Sequence, residues 1–181
     1  EKTSDDIENI YSASSFERTI MLPDRVKKWC QNLFENLVSS GIPEQKTIIF
    51  CVRDSHADAV AIELNNIYAE WCNKNGKKPV DDYAFKCTAA HGKEYLSEIR
   101  GSTRHHFIAT TVDLLTTGVD VPPVTNIVFF RYVESPIAFY QMVGRGTRLY
   151  PPTNKLMFTV HDYTNATRLF GEEFITKHKY K

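Results

Sequence analysis

Apolar residues recur every three or four positions in two long segments, and this spacing predicts two amphipathic helices. The first should begin at Pro23, because proline suits the first helical turn, and end at Gly41, a typical C-terminal cap. The second is predicted over Ser55–Trp71, with the polar stretch Asn73–Pro79 as a loop after it. The apolar stripe of the first helix consists of Val26, Trp29, Cys30, Leu33, Phe34, Leu37 and Val38.

Shorter apolar runs predict strands. Unbroken apolarity is typical of strands buried on both faces, and it occurs in Lys46–Val52, Phe107–Thr111 and Val124–Phe130. Further strands are predicted at Tyr83–Ala89 and Leu156–Val160, with a weak one near Phe16–Met21. Shorter helices are expected at Glu94–Arg100, Asp113–Thr117, Ser135 to about Val143 (with Ser135 capping and Pro136 in the first turn), and Thr164–Phe170.

Strands and helices therefore alternate along most of the chain. This order is typical of βαβ units, so we expect an α/β fold with a parallel sheet and helices on both faces. Function in such sheets lies at the carboxyl ends of the strands. The informative loops should be those after Val52, Ala89, Thr111 and Phe130.

Composition narrows the possible functions. The 181 residues suit one globular domain, and 22 basic residues balance 22 acidic ones. A net charge of zero argues against gripping DNA by bulk charge, so any DNA contact should be local or shared with another domain. No run reaches the roughly 18–20 apolar residues of a membrane span, and the acidic residues 1–8 do not resemble a signal peptide. Four cysteines without a C-x-x-C pair predict buried thiols, no metal site and a reducing cytoplasm.

The segment from Gln141 to Arg148 holds the clearest chemistry. Arg145 and Arg148 lie three residues apart, after a predicted helix, and are separated by glycine, so both can project from one turn. Each guanidinium offers a planar set of donors that matches phosphate oxygens. An arginine pair alone is more often engaged in surface salt bridges. The whole string Q-x-x-G-R-x-x-R resembles the sixth signature motif of superfamily 2 helicases and translocases.

Other segments follow in that superfamily's order. Residues 48–64 (IIFCVRDSHADAVAIEL) resemble its fourth motif, and 110–120 (TTVDLLTTGVD) its fifth. His91-Gly92 resembles the turn common in these lobes, where a structural role is the simpler interpretation. Residues 110–150, together with Phe16-Glu-Arg and His56-Ala-Asp, resemble the motor (R) subunit of type I restriction enzymes. The resemblance covers nearly the whole chain and implies a RecA-like C-terminal lobe.

No phosphate-binding G-x-x-x-x-G-K-[ST] loop and no acidic D-E-x-[DH] strand end occurs in the chain. No nuclease carboxylate cluster is recognisable either. The resemblance implies that these parts precede residue 1, and the start without methionine suggests a piece of a larger protein. We therefore expect residues 1–22 to be an extension from the preceding lobe and 23–181 to be the helicase C-terminal domain. ATP and Mg²⁺ would be bound mainly by the first lobe.

The resemblance also implies roles for individual residues near the nucleotide. Arg145 would be the arginine finger that reaches the γ-phosphate, and Arg148 would bind the same phosphate or a cleft carboxylate. Gln141 and Gly144 would shape that loop. In the fifth motif, Gly118 would allow close backbone approach. Asp120 would lie near the ribose or the finger, unless it only caps a turn.

For nucleic acid, the resemblance implies that Thr111 or Thr110 binds a DNA phosphate. Arg53 and Ser55, after the fourth-motif strand, are further candidates. Hydroxyls and main-chain N–H groups hold the backbone without reading bases, which suits a motor. An ordinary loop residue is an equally good interpretation of each one taken alone.

The implied partners are double-stranded DNA, the first lobe and nuclease domain of the same chain, and the specificity and methyltransferase subunits. The activity would be that of an ATP-dependent type I deoxyribonuclease and DNA translocase, absent from the isolated fragment. Alternatives are another superfamily 2 DNA or RNA helicase and a RecA-like scaffold without catalysis. A flavodoxin-type nucleotide-binding domain would need its own phosphate loop, and none is visible.

Overall fold

The computed structural model describes residues 13–87, 105–112, 124–144 and 158–170. Within these ranges, five strands form one sheet, and all neighbouring strands are parallel. The strands are β1 (Thr47–Phe50), β2 (Ala84–Lys86), β3 (Ile108–Thr111), β4 (Asn126–Phe129) and β5 (Thr159–Asp162). Their order across the sheet is β2-β3-β1-β4-β5. The predicted parallel α/β fold is confirmed.

The register brings the carboxyl ends of the strands to one edge. Phe50 of the central strand β1 lies opposite Thr111 of β3 on one side and Phe129 of β4 on the other. Asp162 of β5 lies opposite Phe129 in turn. Loops that are far apart in the sequence therefore meet at this edge, which we call the carboxyl edge.

Side-chain alternation along the strands divides the core in two. Ile49 and Cys51 point into a cluster with the helices α2 (Pro23–Ser39) and α3 (Asp54–Lys74). Ile48 and Phe50 point into a second cluster, with α4 (Pro136–Gly144) and a 3₁₀ helix, Ala166–Leu169. Strands β1, β3 and β4 are buried at every position, as their unbroken apolar runs predict.

The predicted ends of the helices are largely confirmed. Helix α2 begins at Pro23, and Gly41 follows its C-cap with φ of +150°, a conformation that favours glycine. Helix α4 begins as predicted, with the Ser135 hydroxyl accepting a hydrogen bond from the Ala138 N–H at 3.3 Å. Helix α3 runs two residues into the predicted loop, because nothing interrupts it before Gly76, where φ is +62°.

The weak strand predicted near Phe16–Met21 is wrong, since Ala13–Ile20 forms helix α1. The apolar residues Ala13, Phe16 and Ile20 are spaced by three and four positions, which is a helical pattern. Ile20 is 1% exposed, so the helix end is anchored in the core. The domain boundary placed after residue 22 stays a prediction.

The last strand and helix also differ from the prediction. Strand β5 continues through His161 and Asp162 because both pair with β4, although their polarity indicated that the strand had ended. The helix predicted over Thr164–Phe170 is a four-residue 3₁₀ helix, because Asn165 adopts the left-handed conformation with φ of +58°. The helices predicted at 94–100 and 113–117 lie outside the described residues.

The four cysteines are buried free thiols, as predicted. Burial raises the pKa of Cys87 to about 11, which keeps this thiol protonated at neutral pH. Among the described residues, no helix is both long and apolar enough to cross a membrane. Nor do those residues contain a group of three or more His, Cys, Asp or Glu side chains that could hold a metal ion.

Candidate functional site

Backbone hydrogen bonds extend the ladder one residue past the strands, so the loops of the carboxyl edge leave the sheet from defined positions. Each bond joins the N–H of the first residue after a strand to a carbonyl of the neighbouring strand. The donor–acceptor pairs are Cys51 to Thr111 (2.7 Å), Cys87 to Thr110 (2.8 Å), Phe130 to Phe50 (3.0 Å) and Tyr163 to Phe129 (3.3 Å).

Thr110 and Thr111, the two predicted DNA-binding hydroxyls, have different surroundings. The Thr110 hydroxyl donates to the Ala57 carbonyl of α3 at 2.8 Å, inside the core. The Thr111 side chain points to the other face and is 1% exposed. In the described part of the chain, its hydroxyl has no hydrogen-bond partner. A buried, unpaired hydroxyl is costly, so of the two threonines Thr111 is the one whose hydroxyl still lacks a partner among the described residues.

The loop after β1 carries the two other DNA-binding candidates, and both are exposed. Arg53 is extended and caps α3 through its carbonyl, which accepts the Ala57 N–H at 3.0 Å. Its Nε lies 2.8 Å from the Met21 sulfur, so it contacts the segment between α1 and α2. Ser55 follows in the first turn of α3. Both side chains are therefore accessible at the same edge as Thr111.

His56 fixes the start of this loop. Its side chain is 2% exposed, and its Nδ1 accepts the Val52 N–H at 3.1 Å. The ring stacks on Phe130, with centroids 6.5 Å apart. Burial, helped by the positive charge of Arg53, lowers the pKa of His56 to about 4, so the ring is neutral at neutral pH. Sequence reasoning noted His56 only as part of a family resemblance, and its position in the first helical turn after a buried strand was the available signal.

Asp162, at the end of β5, was not singled out from the sequence. Its carboxylate accepts four hydrogen bonds that shape the following turn: from the N–H groups of Thr164 (3.1 Å), Ala166 (2.9 Å) and Thr167 (2.8 Å), and from the Thr167 hydroxyl (2.6 Å). Burial opposes ionisation, but these donors outweigh it and lower the pKa of Asp162. The turn residues Thr164, Asn165 and Thr167 were a usable signal for such a capping carboxylate.

Arg131, two residues after β4, was also missed. Its guanidinium donates to the carbonyl of Val112, the residue that follows β3, at 3.0 Å. Its own carbonyl accepts the Thr164 hydroxyl at 2.7 Å. A charged residue directly after the buried Phe129-Phe130 pair was the signal in the sequence.

The nucleotide-binding candidates lie largely beyond what the structure describes. Gln141 is exposed on α4, and Gly144 is the last residue of that helix, where an added Cβ would meet nothing within 4 Å in the described part of the chain. Arg145 directly follows the helix. Arg145, Arg148, Gly118, Asp120 and the His91-Gly92 turn lie outside the described residues, so their roles stay predictions.

Known proteins resemble this chain over most of its length. A family model described as the helicase conserved C-terminal domain matches residues 25–150. The type I restriction enzyme EcoAI endonuclease subunit of Escherichia coli is 34% identical over 169 residues, which are 92% of this chain and 20% of that protein. The EcoKI endonuclease subunit of Escherichia coli strain K12 is 37% identical over 157 residues, 84% of this chain and 13% of that protein.

A solved structure agrees with these relatives. It is a fragment described as an HsdR subunit of a type I restriction enzyme from Vibrio vulnificus YJ016. The two sequences are 38% identical, and the structural match has a TM-score of 0.73. The match covers 87% of this chain and 30% of the chain in the solved structure. The predicted RecA-like fold is confirmed. The chain spans a fifth or less of the length of the two curated relatives.

Proposed function

The chain belongs to the helicase conserved C-terminal domain family, and we propose that it is the second lobe of an ATP-dependent DNA translocase. The larger protein would be the motor (R) subunit of a type I restriction-modification enzyme. The observation that carries this proposal is the match over residues 25–150, because it includes every residue predicted to contact nucleotide or DNA. The similarity to two endonuclease subunits supports the restriction enzyme over other superfamily 2 helicases.

On this proposal the lobe completes a nucleotide pocket that the first lobe begins. ATP with Mg²⁺ would be held mainly by the first lobe and supplies the terminal phosphate that is transferred to water. Arg145 and Arg148 would neutralise charge on that phosphate and draw the lobes together. Once the phosphate is gone, the guanidinium groups lose their partner and the cleft opens. Gln141, Gly144, Gly118 and Asp120 would position this side of the pocket.

DNA would lie along the carboxyl edge. Arg53 and Ser55 follow β1, and Thr111 ends the neighbouring strand β3, so all three lie at that edge. The buried Thr111 hydroxyl has no partner among the described residues, and a phosphate oxygen that reached it would accept its hydrogen bond. Contacts of this kind hold the backbone of any sequence, as a translocating motor requires. Two lobes that grip the backbone alternately would turn cleft closure into movement along the duplex.

The remaining functions belong to parts that this chain does not supply. Cleavage would be carried out by a nuclease domain of the same polypeptide, and site recognition and methylation by separate subunits. The relatives come from bacteria, so we place the enzyme in a bacterial cytoplasm. The 181-residue chain alone should show no ATPase activity.

Valine substitutions at the two adjacent threonines test the DNA contact. Thr111→Val in the complete subunit should weaken DNA binding by about tenfold or more, because it removes a hydrogen bond to a charged phosphate. In the 181-residue chain it should leave the free energy of unfolding unchanged or slightly higher, since the lost hydroxyl has no partner.

Thr110→Val is the matched control. It should lower the free energy of unfolding by about 0.5–1.5 kcal/mol, because the hydrogen bond to the buried Ala57 carbonyl is lost. Its DNA affinity, measured by fluorescence anisotropy with the complete subunit, should stay within a fewfold of the wild type. Wild-type DNA affinity in Thr111→Val would argue against a phosphate contact at this position.

A further inference from the structure

The Arg131 side chain crosses the central strand of the sheet. Strands β3 and β4 are not neighbours, because β1 lies between them. The Arg131 side chain therefore reaches across two strand spacings, about 10 Å of sheet, to bring Nη1 to the Val112 carbonyl. Burial raises the pKa of Cys51, directly after β1, and the positive charge of Arg131 acts against this rise.

The backbone of Arg131 is tied in the opposite direction. Its carbonyl accepts the hydroxyl of Thr164, a residue that is 4% exposed and follows β5. Arg131 thus connects the ends of β3, β4 and β5 at the carboxyl edge.

The rest of the link from β4 to α4 is also held. Arg168, from the 3₁₀ helix, donates to the Val133 carbonyl at 2.5 Å and lies 4.4 Å from the centroid of the Tyr132 ring. Val133 is 3% exposed, and the Ser135 hydroxyl caps α4. This link, residues 131–135, is therefore anchored along its length. The link therefore joins Arg131 to the first turn of α4 through fixed contacts.

An ion pair does not explain Arg131. Within the described ranges, no carboxylate lies within salt-bridge distance of its guanidinium, whereas Lys86, the last residue of β2, pairs with Asp58 at 2.8 Å. The partner that the structure gives to the Arg131 side chain is the Val112 carbonyl, next to Thr111.

We propose that Arg131 is a positioning residue that couples movement of α4 to the DNA-binding position of Thr111 by holding the Val112 carbonyl. The inference rests on the proposed function, in which Arg145, directly after α4, responds to the nucleotide. Coupling of this kind is a free energy shared by the two sites, so bound nucleotide changes DNA affinity by the same factor as DNA changes nucleotide affinity.

The test compares DNA affinity of the complete subunit with and without a non-hydrolysable ATP analogue. Arg131→Met keeps the apolar stem and removes the donor, Arg131→Lys keeps the charge, and Lys86→Met is the matched control at the same edge. The wild type and Lys86→Met should show the same ratio of the two affinities. In Arg131→Met the ratio should fall about fivefold or more, towards one, with ATP-analogue affinity in the absence of DNA unchanged. Arg131→Lys should keep part of the difference between the two DNA affinities.

Thr164→Val provides a second route if Arg131→Met does not fold. It removes the donor to the Arg131 carbonyl and should reduce the same ratio in part.

Four outcomes would overturn the proposal. If Arg131→Met shows the same ratio of DNA affinities as the wild type, Arg131 has no coupling role. The same holds for Thr164→Val if Arg131→Met does not fold. If DNA binding by Arg131→Met depends less steeply on salt, by about one phosphate contact, Arg131 is a direct phosphate ligand instead. Equal losses of affinity with and without nucleotide, together with a lower Tm, indicate a purely structural role. A ratio of one in the wild type would contradict the proposed function itself, and this inference with it.

Discussion

Replacing Arg145 by alanine in the complete subunit is expected to lower DNA-stimulated ATP hydrolysis by about 10³-fold or more. The reason is that an arginine finger stabilises charge on the transferring phosphate. The measurement is kcat at saturating ATP and DNA. DNA affinity without nucleotide should stay within a fewfold of the wild type.

Arg18→Ala is the control for this substitution, because Arg18 is an exposed arginine on α1. It should leave kcat unchanged. ATPase activity of Arg145→Ala within a fewfold of the wild type would refute the finger role, and loss of activity in both variants would point to a nonspecific effect of charge. Absence of activity in the wild-type subunit would favour a RecA-like scaffold.

The second large effect is a loss of stability in mild acid. A pKa of about 4 for His56 in the folded chain, against 6.5 unfolded, corresponds to about 3 kcal/mol. Between these values the unfolded chain binds the proton and the folded chain does not, so acid favours unfolding. The free energy of unfolding should have its highest value above pH 6.5 and fall progressively towards pH 4. Burial also lowers the pKa of His161, which acts in the same direction.

The variant His56→Phe distinguishes the contribution of His56 to this pH dependence from that of His161. This variant keeps a ring against Phe130 but cannot titrate, so its free energy of unfolding should change much less between pH 6.5 and pH 4. Urea unfolding of the 181-residue chain at several pH values gives the comparison. An equal pH dependence in wild type and His56→Phe would show that the buried imidazole is not the group responsible.

The sheet was predictable because its central strands are buried at every position and are mostly apolar. Burial on both faces leaves no alternation, and the runs around Ile48, Ile108 and Ile127 show none. Strand β5 lies at the edge and is only partly buried, so its residues carry a weaker signal. Its polar end, His161 and Asp162, is a strand only because β4 pairs with it. Pairing between distant segments is not visible in a local pattern.

The candidate site was predictable in part for the same reason. The strand ends could be placed, and with them Arg53, Ser55 and the threonine pair. Which threonine faces the core helix depends on register, since adjacent strand residues point to opposite faces. Arg131 matters through contacts with Val112 and Thr164, which are 19 and 33 positions away. Such contacts exist only after the sheet has formed.

The central claim is that two guanidinium groups of this lobe complete a nucleotide pocket built by another. The most direct measurement is a structure of the complete subunit with DNA and a non-hydrolysable ATP analogue. The account predicts Arg145 and Arg148 at the carboxyl edge, within hydrogen-bond distance of the terminal phosphate or, for Arg148, of a carboxylate in the cleft. Both side chains in ion pairs within their own lobe, turned away from the nucleotide, would contradict it.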